Sequence, residues 1–521
     1  MLKIGEFARL FNVSLKTIRF YEEKDLLRPA YIDKFSGYRY YDNDNIETMK
    51  KILYLKDLGF SLDEIKNYNS EIVHDKIEAY KKTIEKLTAN ISILEERILV
   101  DNRNLQLETA REEYIKEIRS FYKNKGGLKM IGENENIYEI LSKNEGLSLG
   151  KDIYLPLDKR ENINCLVIGG GGSGTSAAFM MPNILSTLGS YVVIDSIGEL
   201  YEKTSEYMKS KGYIVKTINY KDNPDNYNYD PINHLKTNKD VEDLANIIIG
   251  DNNNNDPFWD DTAKILIKTA IYYLLEKEEK KDLLSLYYLI SEERDTFFEK
   301  IDELEKKSYG YGYGRLIKHL PEKTYKSIAT TALVKLAFII NRNTENIEYN
   351  EIFDFEELYN KKVIFYINLD IMNSNDNSKI ANIFLSQLLA QLDIKDNIKE
   401  NLIIMLDSMA SMGKINSFPK NVMTARARKI SINIISNTFK ELENIYGDET
   451  YTMLNYIDTQ LLFGTNIESD CEYFSKISEI DKNEIKALDK DKVIIFEKGL
   501  NAIIADKNYW YNNEEWRAID E

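Results

Sequence analysis

Cys165-Leu-Val-Ile-Gly-Gly-Gly-Gly-Ser-Gly-Thr-Ser176 reads as a short apolar strand and a glycine-rich turn, and Ala177-Ala-Phe-Met180 then opens a helix. That is the layout of a phosphate-cradling loop, G-x-x-x-x-G-K-[ST]. Gly169, Gly174 and Ser176 fall on the pattern, with Gly172 inside it, but Thr175 stands where the lysine belongs. The lysine is the point charge that reaches the β- and γ-phosphates, so the cradle lacks its strongest electrostatic contact. Gly169, Gly172, Gly174, Thr175 and Ser176 are therefore candidate nucleotide-binding residues in degenerate form.

Further short β-rich runs flank this one at 191–195, 363–369, 402–407, 432–436, 461–464 and 493–497, separated by helical stretches. Continuous apolar strands alternating with helices predict a mostly parallel α/β sheet covered on both faces. Between about 239 and 345 the strand signals give way to helical periodicity, which predicts an inserted all-helical subdomain. Within it, Tyr309-Gly-Tyr-Gly-Tyr-Gly314 reads as a flexible surface loop rather than a base-stacking platform. Gly250-Asp-Asn-Asn-Asn-Asn-Asp256 reads as a polar loop without calcium-loop spacing.

The 521-residue chain is too long for one ordinary domain. No apolar run approaches the roughly 20 residues that span a bilayer, and the start, Met-Leu-Lys-Ile-Gly-Glu, is not a signal peptide. Two cysteines give no disulfide framework and three scattered histidines give no metal site, so a cytoplasmic protein without membrane insertion or bound metal is expected. The net charge of −17 is uneven: residues 1–60 carry 11 Lys/Arg against 9 Asp/Glu, net +2, and the remainder carries −19. Only the head of such a chain suits DNA.

In that head, Ile4, Phe7, Ala8 and Phe11 share one helical face, Asn12-Val13 turns, and Ser14 caps a second helix over 15–23. Helix, tight turn and helix is the helix-turn-helix arrangement. Ser36-Gly-Tyr-Arg-Tyr-Tyr-Asp42 follows as a turn and short strand, a wing suited to phosphates, and Asp44 or Asn45 caps a further helix over 46–58. Here the chain closely resembles the MerR family of transcriptional regulators. The resemblance rests on Ile4-Gly-Glu6, Val13-Ser14, Thr17-Ile-Arg-Phe-Tyr-Glu22, Leu26-Leu-Arg-Pro29, Gly37-Tyr-Arg-Tyr-Tyr41 and Leu58-Gly-Phe-Ser-Leu-Asp-Glu-Ile65. It implies a winged helix that binds and distorts promoter DNA. Candidate DNA-binding residues are Ser14, Lys16, Thr17, Arg19, Tyr21, Tyr38, Arg39 and Tyr41.

After the head, Ile77, Ile84, Ile91 and Ile98 recur every seven residues, with Tyr80, Leu87 and Leu94 between them. This heptad stripe predicts a dimerising coiled coil, and MerR-like proteins pair through such a helix. Lys123-Asn-Lys-Gly-Gly127 reads as a hinge. No cysteine precedes Cys165, so metal or thiol sensing through cysteines after this helix is set aside. The expected organisation is a winged helix-turn-helix over 1–70, a coiled-coil helix and linker over 71–130, and a P-loop NTPase-like (RecA-like) α/β domain over 131–521.

The body resembles the TraG-like coupling-protein ATPases of conjugation and type IV secretion. The resemblance rests on Gly169–Ser176, Tyr191-Val-Val-Ile-Asp195, Gly198-Glu-Leu200, Asn228-Tyr-Asp-Pro231, Asp256-Pro-Phe-Trp259, Leu406-Asp407, Arg426-Ala-Arg428 and Asp458-Thr459. The departures all oppose hydrolysis. Thr175 replaces the loop lysine, and Ser408 replaces the glutamate that follows Asp407. Ile197 replaces a lysine, and Asn437 replaces a glutamine. Loss of the phosphate contact and of the base each costs orders of magnitude in rate. The body therefore reads as a pseudo-ATPase, with no cofactor or at most weak ATP and Mg²⁺ binding that includes Asp407. The whole reads as a homodimeric, MerR-like regulator of double-stranded promoter DNA, whose body senses a ligand or a partner such as a conjugation or type IV secretion component. The alternatives are a nucleotide-dependent DNA translocase or a non-catalytic scaffold of such a system.

Overall fold

The computed structural model describes residues 1–119, 129–130, 137–160, 162–218, 223–227, 229–250, 257–342, 352–369, 376–392, 399–415, 417–478 and 480–517. These divide into two compact units, Met1–Asn104 and Leu105–Glu521. The expected hinge at 123–127 and residues 251–256 of the polar loop lie outside the described residues.

The first unit opens with strand β1 (Leu2–Lys3), helix α1 (Ile4–Leu10) and helix α2 (Leu15–Glu23). A wing of β2 (Tyr31–Ile32) and β3 (Arg39–Tyr41) follows, then α3 (Asn43–Asp57), α4 (Leu62–Lys66) and the start of α5 (Ser70–Ile118). β3 is the centre of a three-stranded sheet, pairing with both β1 and β2. Ser14 caps α2 by accepting a bond from Thr17 N, as its residue type predicts. The cap of α3 is Asp42 rather than Asp44 or Asn45. Asp42 accepts from Asn45 N while the Asn45 amide oxygen accepts from Asp42 N, a capping box that starts the helix three residues earlier than the apolar pattern does.

The second unit holds β4 (Lys129–Met130), a hairpin of β5 (Leu147–Gly150) and β6 (Ile153–Leu155), and β7 (Cys165–Ile168). From β7 the chain passes through a π-helical turn, Ser176–Met180, into α6 (Met181–Leu185). Next come β8 (Ser190–Asp195), α7 (Glu199–Ser210) and β9 (Ile214–Ile218). Among the described residues, six α-helices occupy the middle of this unit: α8 (Asn238–Ile249), α9 (Phe258–Lys277), α10 (Leu283–Ser291), α11 (Arg294–Asp302), α12 (Tyr309–Lys318) and α13 (Glu322–Leu336). The sheet then resumes with β10 (Val363–Asn368), α14 (Asp376–Gln391), β11 (Leu402–Leu406), β12 (Ile430–Ser436), β13 (Thr459–Leu462), β14 (Lys492–Glu497) and β15 (Ile503–Asp506).

The ten-stranded sheet runs β4-β15-β14-β13-β7-β12-β11-β8-β10-β9. From β13 to β9 every pair is parallel, whereas β14 pairs antiparallel with both β13 and β15. Every residue of β7, β8, β11 and β12 is buried; the unbroken apolar runs of β7 and β11 fit strands covered on both faces, while β12 also buries Ser431 and Asn433. β9 escapes the sequence reading because it is an edge strand with an exposed start and the polar pair Lys216-Thr217 inside it.

The Tyr309–Gly314 stretch is not a loop but the first half of α12. Gly310 and Gly314 lie one turn apart on its buried face. A Cβ at Gly310 would stand 2.8 Å from the Cβ of Tyr272, and one at Gly314 would stand 2.7 Å from the Cγ2 of Ile301. The glycines thus allow close helix packing, and Tyr309 and Tyr313 stack on Tyr272 at 5.6 and 6.2 Å. Packing overrides a poor helix propensity of about 1 kcal/mol per glycine.

The end of α5 belongs to the core of the second unit: Tyr114, Ile115 and Ile118 are buried there. Gln460, fully buried on β13, donates to the Tyr114 hydroxyl at 3.0 Å and accepts from the Tyr473 hydroxyl at 3.0 Å. Gln460→Leu removes a hydrogen bond from each hydroxyl inside the core, which costs about 1–3 kcal/mol per group. Thermal or denaturant unfolding of the intact protein should register that loss, and an unchanged midpoint would show that the relay contributes nothing.

Candidate DNA interface and degenerate nucleotide site

In the first unit, Lys16 and Arg19 project from α2 into solvent and Ser14 is exposed at its start. The Thr17 hydroxyl is engaged with Ser14 Oγ at 2.8 Å, so it completes the cap. Tyr38 is exposed on the wing beside Gly37, whose φ of +71° turns the hairpin. Arg39 is half-buried, and its Nε donates to both carboxylate oxygens of Glu22 at 2.8 and 3.0 Å, bracing the wing against α2. This ion pair engages the Arg39 guanidinium that the sequence reading offers to phosphate.

Two of the eight candidate DNA residues are corrected. Tyr21 and Tyr41 are core residues. Tyr41 is fully buried and stacked on Phe7 at 4.4 Å with an 18° interplanar angle, and burial pushes its hydroxyl up to about 12. Strand alternation gives the reason: on β3, Arg39 and Tyr41 share one face, and in this short strand that face meets the helices. On α2, Ile18 and Tyr21 are one turn apart and both buried.

Along α5 the stripe residues Ile77, Ile84, Leu87, Ile91, Leu94 and Ile98 are all exposed in the single chain. Tyr80 is exposed too, and its hydroxyl also donates to the carbonyl of Leu58 at 2.6 Å, tying α5 to the turn before α4.

In the second unit, the carboxyl ends of β7, β12, β11 and β8 lie side by side, because these four neighbours are parallel. Ligands of open α/β sheets bind at this edge. The glycine loop leaves β7 there, anchored by Gly169 N to Ser436 O at 3.1 Å. Gly172 and Gly174 have φ of +78° and +86°, values that favour glycine. Thr175 enters the π-helical turn with ordinary helical angles and no capping bond.

At the end of β8, Asp195 accepts from Gly198 N and Tyr201 N, both at 2.9 Å, and so starts α7. At the end of β11, Asp407 accepts a hydrogen bond from the Ser196 hydroxyl, and burial raises its carboxyl above the usual range. Ser408 follows in the left-handed region, φ +52°, and opens a 3₁₀ turn at Met409–Met412. Ile197, where the resembled family has a lysine, is an exposed apolar side chain. Asn437 is exposed, with its backbone N–H on Glu441 at 3.2 Å.

Two participants escape the sequence reading. Ser196 holds Asp407, and no pattern in the chain marks that pairing. Glu441 accepts from Ser436 Oγ at 2.8 Å beside the loop anchor, and Thr438-x-x-Glu441 is a visible helix-start signal. Among the described residues no cluster of His, Cys, Asp or Glu could hold a metal ion, and no helix is long and apolar enough to cross a membrane.

The sheet and its loop define a P-loop NTPase-like α/β fold. The family model described as Type IV secretory system Conjugative DNA transfer matches residues 123–479, and the chain belongs to that family. The model for MerR HTH family regulatory proteins matches residues 2–71, so the first unit carries a MerR-type helix-turn-helix. The chain is similar to the multidrug-efflux transporter 1 regulator of Bacillus subtilis, 43% identical over 63 residues, which are 12% of this chain and 23% of that protein. It is also similar to the HTH-type transcriptional activator mta of the same organism, 30% identical over 103 residues, 20% of this chain and 40% of that one. The chain thus spans well under half the length of these curated relatives. A solved structure of the plasmid coupling protein TrwB with a non-hydrolysable ATP analogue shares the fold of the body. Its TM-score is 0.58 at 13% identity, covering 75% of this chain and 96% of that one.

Burial separates the candidate DNA residues into two groups that stability measurements resolve. Tyr41→Ala empties a fully buried aromatic site and should cost about 3–5 kcal/mol, whereas Lys16→Ala and Arg19→Ala should stay within about 0.5 kcal/mol. Melting of the first unit within the intact protein reads both, and equal effects would contradict the assignment.

Proposed function

We propose that this protein is a sequence-specific, DNA-binding transcriptional regulator whose family-derived body is a pseudo-ATPase serving as a sensor or partner-binding module. The first unit does the binding, with Lys16, Arg19 and Tyr38 as the exposed contacts. Thr17 and Ser14 set the end of the recognition helix, and Arg39 positions the wing through Glu22. Two copies pair through Ile77, Ile84, Leu87, Ile91, Leu94 and Ile98, which gives the twofold symmetry that a two-half-site operator matches. The protein acts in the cytoplasm, and the partner chemistry that fits its body is another component of a conjugative transfer system.

The observation that carries the pseudo-ATPase reading is the state of the carboxyl edge. A working site needs a cation at the phosphates, a free carboxylate to position Mg²⁺ and a base to orient water. Here position 175 is a threonine, Asp407 is bonded to Ser196, and position 408 is a serine in a left-handed turn. This donor set does not fit Mg²⁺-dependent hydrolysis. Membership of the conjugative DNA transfer family supports a second reading, a nucleotide-driven translocase tethered to DNA by its head.

Selection of bound sequences from a random duplex pool by the intact protein separates these readings. The regulator enriches one inverted repeat, and Arg19→Ala weakens binding to it at least roughly tenfold, in line with about 1–3 kcal/mol for a base contact. Binding without any enriched sequence would overturn the regulator reading.

A further inference from the structure

The segment after β15 crosses the glycine loop. Lys507, only 3% exposed, sends its ammonium to three backbone carbonyls. It donates to Ser173 O in the loop at 2.7 Å, to Phe463 O at the end of β13 at 3.0 Å, and to Lys490 O. A lysine ammonium has three donor hydrogens, and these three acceptors use all of them. Two residues on, the ring of Tyr509 lies against the loop from another side: a Cβ at Gly174 would meet its Cε1 at 3.3 Å. Tyr509 is held in turn by Asp491, which accepts its hydroxyl at 3.2 Å, and by Tyr511, stacked on it at 5.1 Å and 16°. Between the two contacts, Asn508 donates to Ser148 Oγ at 2.9 Å, and Trp510 is buried. The far end of the segment is fixed to α7, where Glu515 accepts from Lys211 at 2.8 Å and from Tyr207 at 3.0 Å. The segment itself, Lys507 to Glu515, lies beyond 479, where the match to the family model ends.

We propose that residues 507–511 form a built-in strap on the glycine loop, with Lys507 as the residue that positions the loop in place of the lysine missing at 175. The charge arrangement follows from simple electrostatics. In a loop of the usual pattern the ordering cation sits inside the cradle and faces the phosphates. Here the cation approaches through the carbonyl of Ser173, neutralises that dipole and links the loop to β13 and to the turn before β14. Burial pulls the Lys507 ammonium down to about 8, against the pull of Asp491 and Asp489, and the three carbonyls stabilise its charged form. The loop is then held in one conformation by the chain's own groups, without an anion. That suits a body used as a rigid module rather than as a machine that opens and closes around nucleotide. The inference stands on contacts within the second unit and is independent of whether the first unit binds an operator.

Amide hydrogen exchange on the full chain without nucleotide tests it. Lys507→Met keeps the aliphatic stem and removes the donors. Exchange at residues 170–175 should rise by roughly tenfold or more, while amides of β10 and β11 keep their protection, because the loop opens locally rather than globally. Lys507→Arg, which keeps a cation and donors, should restore part of the protection. If Lys507→Met does not fold, Tyr509→Ala serves instead, with a rise at residues 173–175 expected. Unchanged exchange at the loop, or a uniform rise across the whole sheet, would overturn the strap.

Discussion

Burial of β7 and its neighbours on both faces is the constraint from which the body follows. A strand with no solvent-facing side can present chemistry only at its ends, and parallel pairing brings the carboxyl ends of β7, β12, β11 and β8 to one edge. The glycine loop, Asp195, Asp407 and Asn437 are placed by that rule before any of their side chains is considered. The edge carries Thr175, Ser408 and Asn437 on this architecture. Asp195 caps α7, Asp407 is satisfied by Ser196, and the loop is tied to Ser436. These polar groups are bonded within the chain, as the stability of a buried polar edge requires.

The head obeys a different balance. Its core is small, and aromatic side chains supply much of it: Phe7, Tyr21 and Tyr41 are buried, with Phe60 close behind. Two tyrosines in the most family-like stretches, Tyr21 and Tyr41, turn inward to complete this core. The candidate residues that remain exposed are Ser14, Lys16, Arg19 and Tyr38.

Much of this was legible in the chain. Buried parallel strands announce themselves as unbroken apolar runs, and the glycine loop marks its own position. The long helix that carries the heptad stripe and the Ser14 cap are equally direct. What escaped did so for identifiable reasons. β9 is an edge strand with polar residues. α12 looks like a loop because Gly310 and Gly314 serve a packing surface that only the fold brings up. Tyr21 and Tyr41 match a DNA-binding motif whose residues also build its core, and a motif does not say which way a ring points. Ser196–Asp407 and Lys507–Ser173 join residues 211 and 334 positions apart, and no local pattern encodes such pairs.

On the proposed function, the body does not hydrolyse nucleotide. Steady-state ATP and GTP turnover by the intact protein, with Mg²⁺ and saturating duplex DNA, tests that claim most directly. The account predicts a rate indistinguishable from a protein-free control. Turnover above that control that disappears in Asp407→Ala would contradict it.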